Sequence, residues 1–507
     1  MGVVLLTMSQ PPRSLAALFF FVGQVVNFAI NFLTTPYLAR SLSQHEFGTY
    51  GQVIMVLDIA NILVNFGLVN SLTLAFADPK TRSESDNFAT YGALFVGMGI
   101  IGSMAVWLFS YISPQIFGHQ QAAPLLQWTA ICVLLFYLNH LFTRALVHSS
   151  RTHYYVVATI VGNIVRVACM LIAVYAYQSL WGVLMSVSVG WVCQVAIVAA
   201  SVPRRFWGGA IQKEQWLPIL REGSLLGFNY QLQYAYLYVS GMLISYYLGL
   251  TQYAIYRSSS IEIPLVGTLY VAIAVIMFPH WASQARQGDY EAILTLQRRI
   301  IAQVAVLIYP VVVFMVLCSP CFIRLYLSDI YADGAPVFAL VSLALLTKIG
   351  DFAELLTLRK AYHTILRINL CYFGVFLALI GLLLPVGGII GAAAAVAISS
   401  FLLAYLYLRQ TLYPLGWTLD RLLNFRHLAA ILTLCLSCAL PVAVLLYYWQ
   451  CSIVTFLGVG VLYAVVVYAA ALRLHWIDLE LYAPIFQRYT LTSWLYQLLR
   501  RWAKDIK

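Results

Sequence analysis

The side chains of this chain that could do chemistry are a few charged residues inside long apolar runs. Arg166 and Arg257 each interrupt such a run, and neither has an acidic residue one helical turn away. Asp58 lies well inside another run, with no basic residue three or four positions away. Placing a charge at the centre of a lipid bilayer costs about 2.5–3.5 kcal/mol on insertion scales, so each of these residues is a candidate for function.

These charges suggest two kinds of chemistry. Buried guanidinium groups, together with Lys348, suit the binding of an anion, because charge-assisted hydrogen bonds are the strong ones. Buried carboxyl groups suit the coupling of transport to an ion, and the candidates are Asp58, Glu262 and Asp351. Structural roles compete with both hypotheses. Arg257 lies about one turn from the end of its run and could snorkel, and Lys348 could pair with Asp351 within one helix.

Amide and tyrosine side chains accompany the charges at helical spacing. Asn27 and Asn31 are four positions apart, as are Asn61 and Asn65, so each pair shares one face of a helix. Such stripes could line a water-filled path for a sugar, or they could simply form hydrogen bonds between helices. The amide and tyrosine residues predicted to bind substrate are Asn27, Asn31, Asn61, Asn65, Asn229, Gln233 and Tyr236.

The elements that carry these residues are predicted to be membrane-spanning helices. Of 507 residues, 62% are hydrophobic and only 9% are charged, which argues against a soluble enzyme or a nucleic-acid-binding protein. A spanning helix needs about 20 apolar residues. Fourteen runs approach or exceed this length, and they cover 14–39, 48–76, 88–111, 123–147, 154–177, 180–201, 223–248, 253–280, 300–323, 334–358, 366–384, 389–409, 428–449 and 453–472. We therefore predict an all-α polytopic membrane protein with fourteen transmembrane helices.

The basic residues predict the orientation of these helices. With the N-terminus inside, 24 of the 29 Lys and Arg residues fall in inner segments, and only Arg40 and Arg324 fall at outer ends. This bias follows the positive-inside rule, so both termini are predicted to be cytoplasmic. The basic inner connection 202–222 and the amphipathic tail are interpreted as membrane-surface segments.

A weak internal repeat suggests two related halves, because a transporter architecture of parallel repeats places its substrate site between them. A shift of 206 residues places Leu42, Phe47 and Tyr50 on Leu248, Tyr253 and Tyr256. The predicted organisation has two six-helix lobes around a central cavity. Its parts are the first lobe over 1–201, a basic linker over 202–222, the second lobe over 223–410, two additional helices over 411–472 and the cytoplasmic tail over 473–507.

Cofactor and redox chemistry find little support. Among nine cysteines, Cys318 with Cys321 and Cys435 with Cys438 have C-x-x-C spacing. Since no histidine ligands lie close by, these pairs are interpreted chiefly as packing residues, and a redox or metal role stays open. No phosphate-binding GxxxxGK motif followed by Ser or Thr is present, so we expect no ATPase in this chain and no cofactor.

Segments spread over about 25–425 resemble one membrane-protein family. YLARSLSQHEFGTYG (37–51) resembles the segment between the first two helices of Wzx-type polysaccharide flippases. LGLTQYAIYRSSSIEIP (248–264) is similar to that family's seventh-to-eighth helix turn, and LLPVGGIIGAAAAVAIS (383–399) to its eleventh-to-twelfth passage. Ser43 departs from the glycine common in the family. The resemblance implies alternating access by two six-helix lobes, and a substrate in which pyrophosphate links an oligosaccharide to a polyprenol.

The function predicted from these observations is a flippase for a polyprenyl-pyrophosphate-linked oligosaccharide. It would act in the cytoplasmic (inner) membrane, driven by an ion gradient, in the synthesis of a surface polysaccharide such as an O-antigen or exopolysaccharide. The expected partners are this substrate, membrane lipids and, nearby, a polysaccharide polymerase and glycosyltransferases, with no nucleic acid. Two alternatives stay open. A cation-coupled multidrug antiporter of the same superfamily predicts a more acidic cavity, and a membrane glycan polymerase or glycosyltransferase usually needs a larger surface loop.

Overall fold

The computed structural model describes residues 13–65, 67–77, 83–263, 266, 284, 287–350, 352–353, 356–357, 359, 361–448 and 451–477. These residues form helices joined by short turns, and the ranges just given contain no β-strand. Backbone groups in lipid must satisfy one another, which is why apolar runs of this length become helices. The chain divides into two compact units, Met1–Ser258 and Ser259–Lys507.

The first unit is built from helices that follow the chain to a break at Gly249. This glycine has φ 82° and divides the last helix into a long segment and a short one, since glycine adopts a positive φ at little cost. The helices are α1 (Arg13–Ser41), α2 (Gln44–Asn65), α3 (Leu68–Ala77), α4 (Glu84–Phe117), α5 (Ala122–Thr129), α6 (Ile131–His148), α7 (Thr152–Tyr177), α8 (Leu180–Ser201) and α9 (Trp216–Ser259).

The start of α2 is set by a capping box. The Glu46 backbone N–H donates to Ser43 Oγ (3.2 Å), and the Ser43 backbone N–H donates to the Glu46 carboxylate (3.0 Å). This reciprocal pair satisfies backbone donors that the first turn of a helix leaves unpaired. The serine that departs from the family's usual glycine therefore positions the beginning of α2.

The second unit has the same all-helical character. Its longest helix is broken at Gly388 (φ 56°, ψ −138°), which divides it into two crossings, meaning two segments that are each long enough to span a membrane. The helices are α10 (Tyr290–Leu317), α11 (Ser319–Tyr326), α12 (Ala335–Ala344), α13 (Tyr362–Leu412), α14 (Leu419–Leu422), α15 (Phe425–Tyr448) and α16 (Ile453–Arg473).

The predicted fold class is confirmed. The described helices follow the predicted apolar runs in order, and within the described ranges ten helical stretches are long and apolar enough to cross a membrane. One of them, Tyr362–Leu415, contains the two crossings on either side of Gly388. The boundaries of the two six-helix lobes stay a prediction, and the tail beyond residue 477 lies outside the described residues.

Two of the predicted helices end earlier in the structure than expected. α9 ends at Ser259, so Glu262 lies beyond the helix, in a non-helical segment. A proline disfavours helical backbone at the residue before it, and Pro264 follows two residues after Glu262. The rest of the run predicted over 253–280 lies largely outside the described residues.

The run predicted over 334–358 is also not one continuous helix. α12 ends at Ala344, a 3-10 turn continues over Leu345–Ile349, and Gly350 is extended (φ −162°, ψ 149°). The predicted helix therefore does not continue through Gly350. Asp351 lies outside the described residues, so its pairing with Lys348 stays a prediction.

The connection after α8 packs against α3 and α4 of the first unit. Phe206 is fully buried, and its ring packs edge-on against Phe76 (5.8 Å) and Phe88 (5.7 Å). The Ala210 backbone N–H donates to the Asp86 carboxylate at the start of α4 (2.8 Å). The first part of the predicted linker 202–222 is thus fixed on the first unit by an aromatic anchor and a charge-assisted hydrogen bond.

Candidate functional site

A polar cluster joins α1 to α7 inside the first unit. Arg166 Nη2 donates to Asn31 Oδ1 (2.9 Å), and Asn163 Nδ2 donates to Asn27 Oδ1 (3.0 Å). Asn31 Nδ2 donates to the Asn27 carbonyl one turn earlier (2.9 Å). Arg166 is half-buried and Asn31 is exposed, so the cluster is open on one side. Its four residues combine one permanent cation with amide donors and acceptors, as an anionic and hydroxyl-rich ligand requires.

The second arginine lies where α9 meets α2. Arg257 Nη1 donates to Tyr253 Oη (3.4 Å), and Tyr253 Oη donates to the Gly51 carbonyl (3.1 Å). Gly51 lets the arginine approach, because a Cβ at this position would lie 2.6 Å from Arg257 Cδ. Tyr253 thus holds the guanidinium, and the missing side chain at Gly51 leaves room for the arginine stem.

Arg257 lies within electrostatic range of the Asp58 carboxyl, which has no cation on its own helix. The two groups come from α9 and α2, so the packing of these helices in the first unit brings a cation and a carboxyl into one region.

The α1–α2 turn packs against the Gly249 break of α9. We call this the turn–turn contact, formed by Gly48 and Gln52 on one side and Ser245 and Leu250 on the other. Gln52 Nε2 donates to Ser245 Oγ, and a Cβ on Gly48 would lie 2.8 Å from the Leu250 carbonyl oxygen. These are the two segments related by the predicted 206-residue repeat, so the repeat marks surfaces that meet.

A histidine supports the turn–turn contact from the loop after α4. His119 Nε2 is 2.8 Å from Gln52 Oε1, and its ring lies 5.5 Å from that of His45. Burial lowers the pKa of His119, and the neighbouring His45 lowers it further. The neutral ring, with Nε2–H donating to the Gln52 carbonyl oxygen, is therefore the form favoured in this structure.

The remaining amide candidates of α2 and α9 are placed as follows. The Oδ1 atoms of Asn61 and Asn65 are buried and have no hydrogen-bond partner among the described residues. Asn229 is buried in α9 and Tyr236 is half-buried there, whereas the side chain of Gln233 lies outside the described part of the chain. The two unsatisfied oxygens of α2 are acceptors available to a hydroxyl or a cation.

The candidates of the second unit form no such cluster among the described residues. Lys348 is exposed on the 3-10 turn, and Glu262 is exposed beyond the end of α9. Their proposed roles in phosphate binding and ion coupling stay predictions.

Sequence reasoning missed the residues that hold Arg257. Gly51 and Tyr253 do not stand out as polar or charged, yet they position the guanidinium. The signal was present in the 206-residue repeat, which contains Tyr50 and Tyr253. The repeat did not indicate that the two turns would touch.

Comparison with protein families matches residues 16–283, just over half of the chain, to the family described as polysaccharide biosynthesis protein. No curated protein matches the chain in sequence.

Solved structures of membrane transporters share the fold. The lipid II flippase MurJ, in an inward closed conformation, is 14% identical with a TM-score of 0.68, over 91% of this chain and 100% of that one. An inward-facing multidrug resistance MATE family transporter of the MOP superfamily is 12% identical with a TM-score of 0.59, over 77% and 93%. The Vibrio cholerae MATE transporter VcmN in its bent form is 12% identical with a TM-score of 0.54, over 78% and 97%. At these identities the likeness extends to the fold alone.

Proposed function

Because the chain belongs to the polysaccharide biosynthesis protein family, we propose that it is a flippase for a lipid-linked oligosaccharide. The substrate would be an oligosaccharide joined through pyrophosphate to a polyprenol, carried from the inner to the outer leaflet of the cytoplasmic membrane. The solved structure of a lipid II flippase, which has the same fold, supports a lipid-linked substrate for this chain.

The observation that carries the proposal is the pair of arginines that polar groups hold inside the first unit. A pyrophosphate that crosses a low-dielectric path needs compensating charge at each stage, because an unpaired anion in lipid is costly. Arg166 offers its guanidinium on the open side of the α1–α7 cluster, and Arg257 is held by Tyr253 where α9 meets α2. The planar fork of arginine matches phosphate oxygens in pairs.

Amide side chains of α1 and α2 suit the sugar part of this substrate. Asn31 is exposed beside Arg166, and the side-chain Oδ1 atoms of Asn61 and Asn65 in α2 lack partners among the described residues. Sugar hydroxyls both donate and accept hydrogen bonds, so they can satisfy such oxygens. The same set of side chains would thus contact the anionic and the neutral part of one ligand.

A cation-coupled multidrug antiporter is the second candidate function, and Asp58 together with the MATE-like fold favours it. The two arginines count against it, because they would repel a cationic drug. Deleting the gene separates the two functions. The flippase account predicts loss of surface polysaccharide and accumulation of lipid-linked oligosaccharide, with unchanged drug susceptibility. Increased drug susceptibility with normal polysaccharide would overturn it.

We propose Asp58 as the carboxyl that couples transport to an ion gradient. Asp58→Asn removes the negative charge beside Arg257 but keeps the size of the side chain. We expect export to slow at least about ten-fold, equivalent to about 1.4 kcal/mol, while the protein still folds and inserts. The measurement is gradient-driven transport in proteoliposomes. A second variant adds Asn61→Asp to Asp58→Asn, which restores a carboxyl one turn further along α2. Unchanged gradient-dependent transport by Asp58→Asn would show a structural role.

The inner membrane location and orientation are part of the same proposal. Both termini would be cytoplasmic, as the distribution of 24 against 2 basic residues supports. A polysaccharide polymerase on the outer side and glycosyltransferases on the inner side are the expected neighbours, since they would consume and supply the proposed substrate.

A further inference from the structure

A disulfide joins two distant parts of the second unit. Cys321, in α11, is bonded to Cys451, in the connection between α15 and α16, across a sequence separation of 130 residues. Cys318, the other half of the C-x-x-C pair, is a buried free thiol. The interpretation of Cys321 as a packing residue is therefore wrong, because its partner comes from a different loop.

The bond adds a covalent attachment to the hydrogen bonds and ring contacts that hold α16. Further along α16, Tyr463 Oη donates to the Pro310 carbonyl (3.1 Å) and Tyr468 Oη to the Leu307 carbonyl (2.9 Å), so α16 is tied to α10 there. Next to Cys451, by contrast, Val454 is 80% exposed and Leu457 is 60% exposed. The first turn of α16 thus leaves large apolar side chains uncovered.

Aromatic rings hold the two cysteines in register. Phe322, next to Cys321, stacks on Phe338 (4.8 Å) and approaches Phe456 of α16 (6.1 Å). Phe314 of α10 contacts the same Phe456 ring (5.4 Å). The rings therefore bring α16 to α11 at the end where the sulfurs meet, so the disulfide and the packing support one another.

We infer that Cys321–Cys451 is a built-in covalent clip that makes α15 and α16 part of the second unit, and that it forms on the outer side of the membrane. Cys321 lies at the end of the run predicted over 300–323 and Cys451 in the connection before α16, and the basic-residue count places both of these ends outside. Disulfides persist in oxidising extracytoplasmic compartments and are rare in the cytosol. Each thiol loses one proton and one electron as the S–S bond forms, and these reduce the disulfide of a thiol-oxidising protein in that compartment to a dithiol.

The clip has a consequence for transport. A covalent bond at one end and tyrosine hydrogen bonds further along prevent α16 from sliding along α10. The additional helix pair must then move with α10 and α11 as one body during any change of conformation.

Differential thiol labelling tests the clip on the full-length protein in membranes. Free thiols are blocked under denaturing conditions, the protein is reduced, and newly exposed thiols receive a polyethylene-glycol maleimide. Wild type should gain two adducts, whereas Cys321→Ser and Cys451→Ser should gain none. Cys371→Ser, which removes an exposed free cysteine, is the matched control and should still gain two. Membranes from a strain without its extracytoplasmic thiol oxidant should gain none.

Stability provides a second measurement. Each single serine variant should lower the Tm of the purified protein by about 5 °C or more, and the double variant should lower it no further, because both substitutions break one bond. Two results would overturn the inference. One is a wild-type protein whose nine cysteines are all blocked before reduction, and the other is a double variant whose loss equals the sum of the single losses.

Discussion

Replacing Arg166 or Arg257 by alanine is expected to reduce surface polysaccharide at least about ten-fold. Each guanidinium is held by polar groups in the first unit, Arg166 by Asn31 and Arg257 by Tyr253. A hydrogen bond to a charged group contributes about 1.5–3 kcal/mol, and each 1.4 kcal/mol corresponds to a tenfold change in an equilibrium constant. The measurement is surface polysaccharide in a flippase-deficient strain that carries each variant at matched membrane levels.

The conservative variants identify what the arginines contribute. Lysine keeps the charge but loses the planar fork, so Arg→Lys should restore part of the export. Glutamine can still donate a hydrogen bond but carries no charge, so Arg→Gln should restore little. Arg204→Ala removes an exposed arginine of the linker and serves as the matched control, with export unchanged. Full surface polysaccharide from the double glutamine variant would contradict a cationic path.

Arg257 needs one further control, because it also packs against α2. Its Cδ lies over Gly51, so Arg257→Ala removes packing as well as charge. Thermal stability in detergent separates the two losses. We expect Arg257→Lys, which keeps most of the aliphatic stem, to match the wild-type Tm while its export stays reduced.

Introducing a single methyl group at Gly48 is expected to abolish most transport without unfolding the protein. The new Cβ would lie 2.8 Å from the Leu250 carbonyl oxygen, so the backbone of one turn would have to move away from the other. Overpacking of this kind costs about 1–3 kcal/mol. Where the turn–turn contact closes one end of the path, that cost lowers the equilibrium constant for closing by about one to two orders of magnitude.

Cross-linking measures the turn–turn contact itself. Gln52→Cys and Ser245→Cys replace side chains that are hydrogen-bonded to each other. A short bifunctional maleimide should therefore join the two cysteines in the protein that carries both substitutions, which is the parent for the glycine variants. Gly48→Ala should lower both the cross-linked fraction and the transport rate. Gly97→Ala is the matched control, because no atom lies within 4 Å of its Cβ position and helical alanine is favoured over glycine. Parent-like cross-linking and transport by Gly48→Ala would exclude the contact from the transport cycle.

The helices of this protein could be predicted from the sequence because lipid allows few alternatives. Apolar runs of the right length had to become helices, and their order matched the described elements. The ends of helices were less accessible to this reasoning. Gly350 is extended although the run around it is apolar, and it separates Lys348 from Asp351.

The pairings within the site depended on contacts between helices that are distant in sequence. Asn163 and Arg166 are one helical turn apart in the sequence, but the donation from Arg166 to Asn31 required α1 to pack on α7. Asp58 lies within electrostatic range of Arg257, about 200 residues away in sequence, because α9 packs on α2. Polar composition identified the participants, whereas their partners depended on tertiary packing.

The disulfide illustrates the same limit. Nine cysteines allow many pairings, and spacing drew attention to Cys318 with Cys321. The pairing that the structure contains joins Cys321 to Cys451, because aromatic packing between α11 and α16 brings those two together.

Movement of the substrate between leaflets can be measured with the purified protein. The protein would be reconstituted into vesicles that contain a short-chain polyprenyl-pyrophosphate oligosaccharide, and a membrane-impermeant lectin would report the fraction in the accessible leaflet. We expect an imposed ion gradient to accelerate translocation by the wild type at least about ten-fold over protein-free vesicles, and we expect no such acceleration by the Arg166→Gln, Arg257→Gln double variant. Translocation by folded wild type that equals that of protein-free vesicles under every gradient would exclude the proposed flippase function.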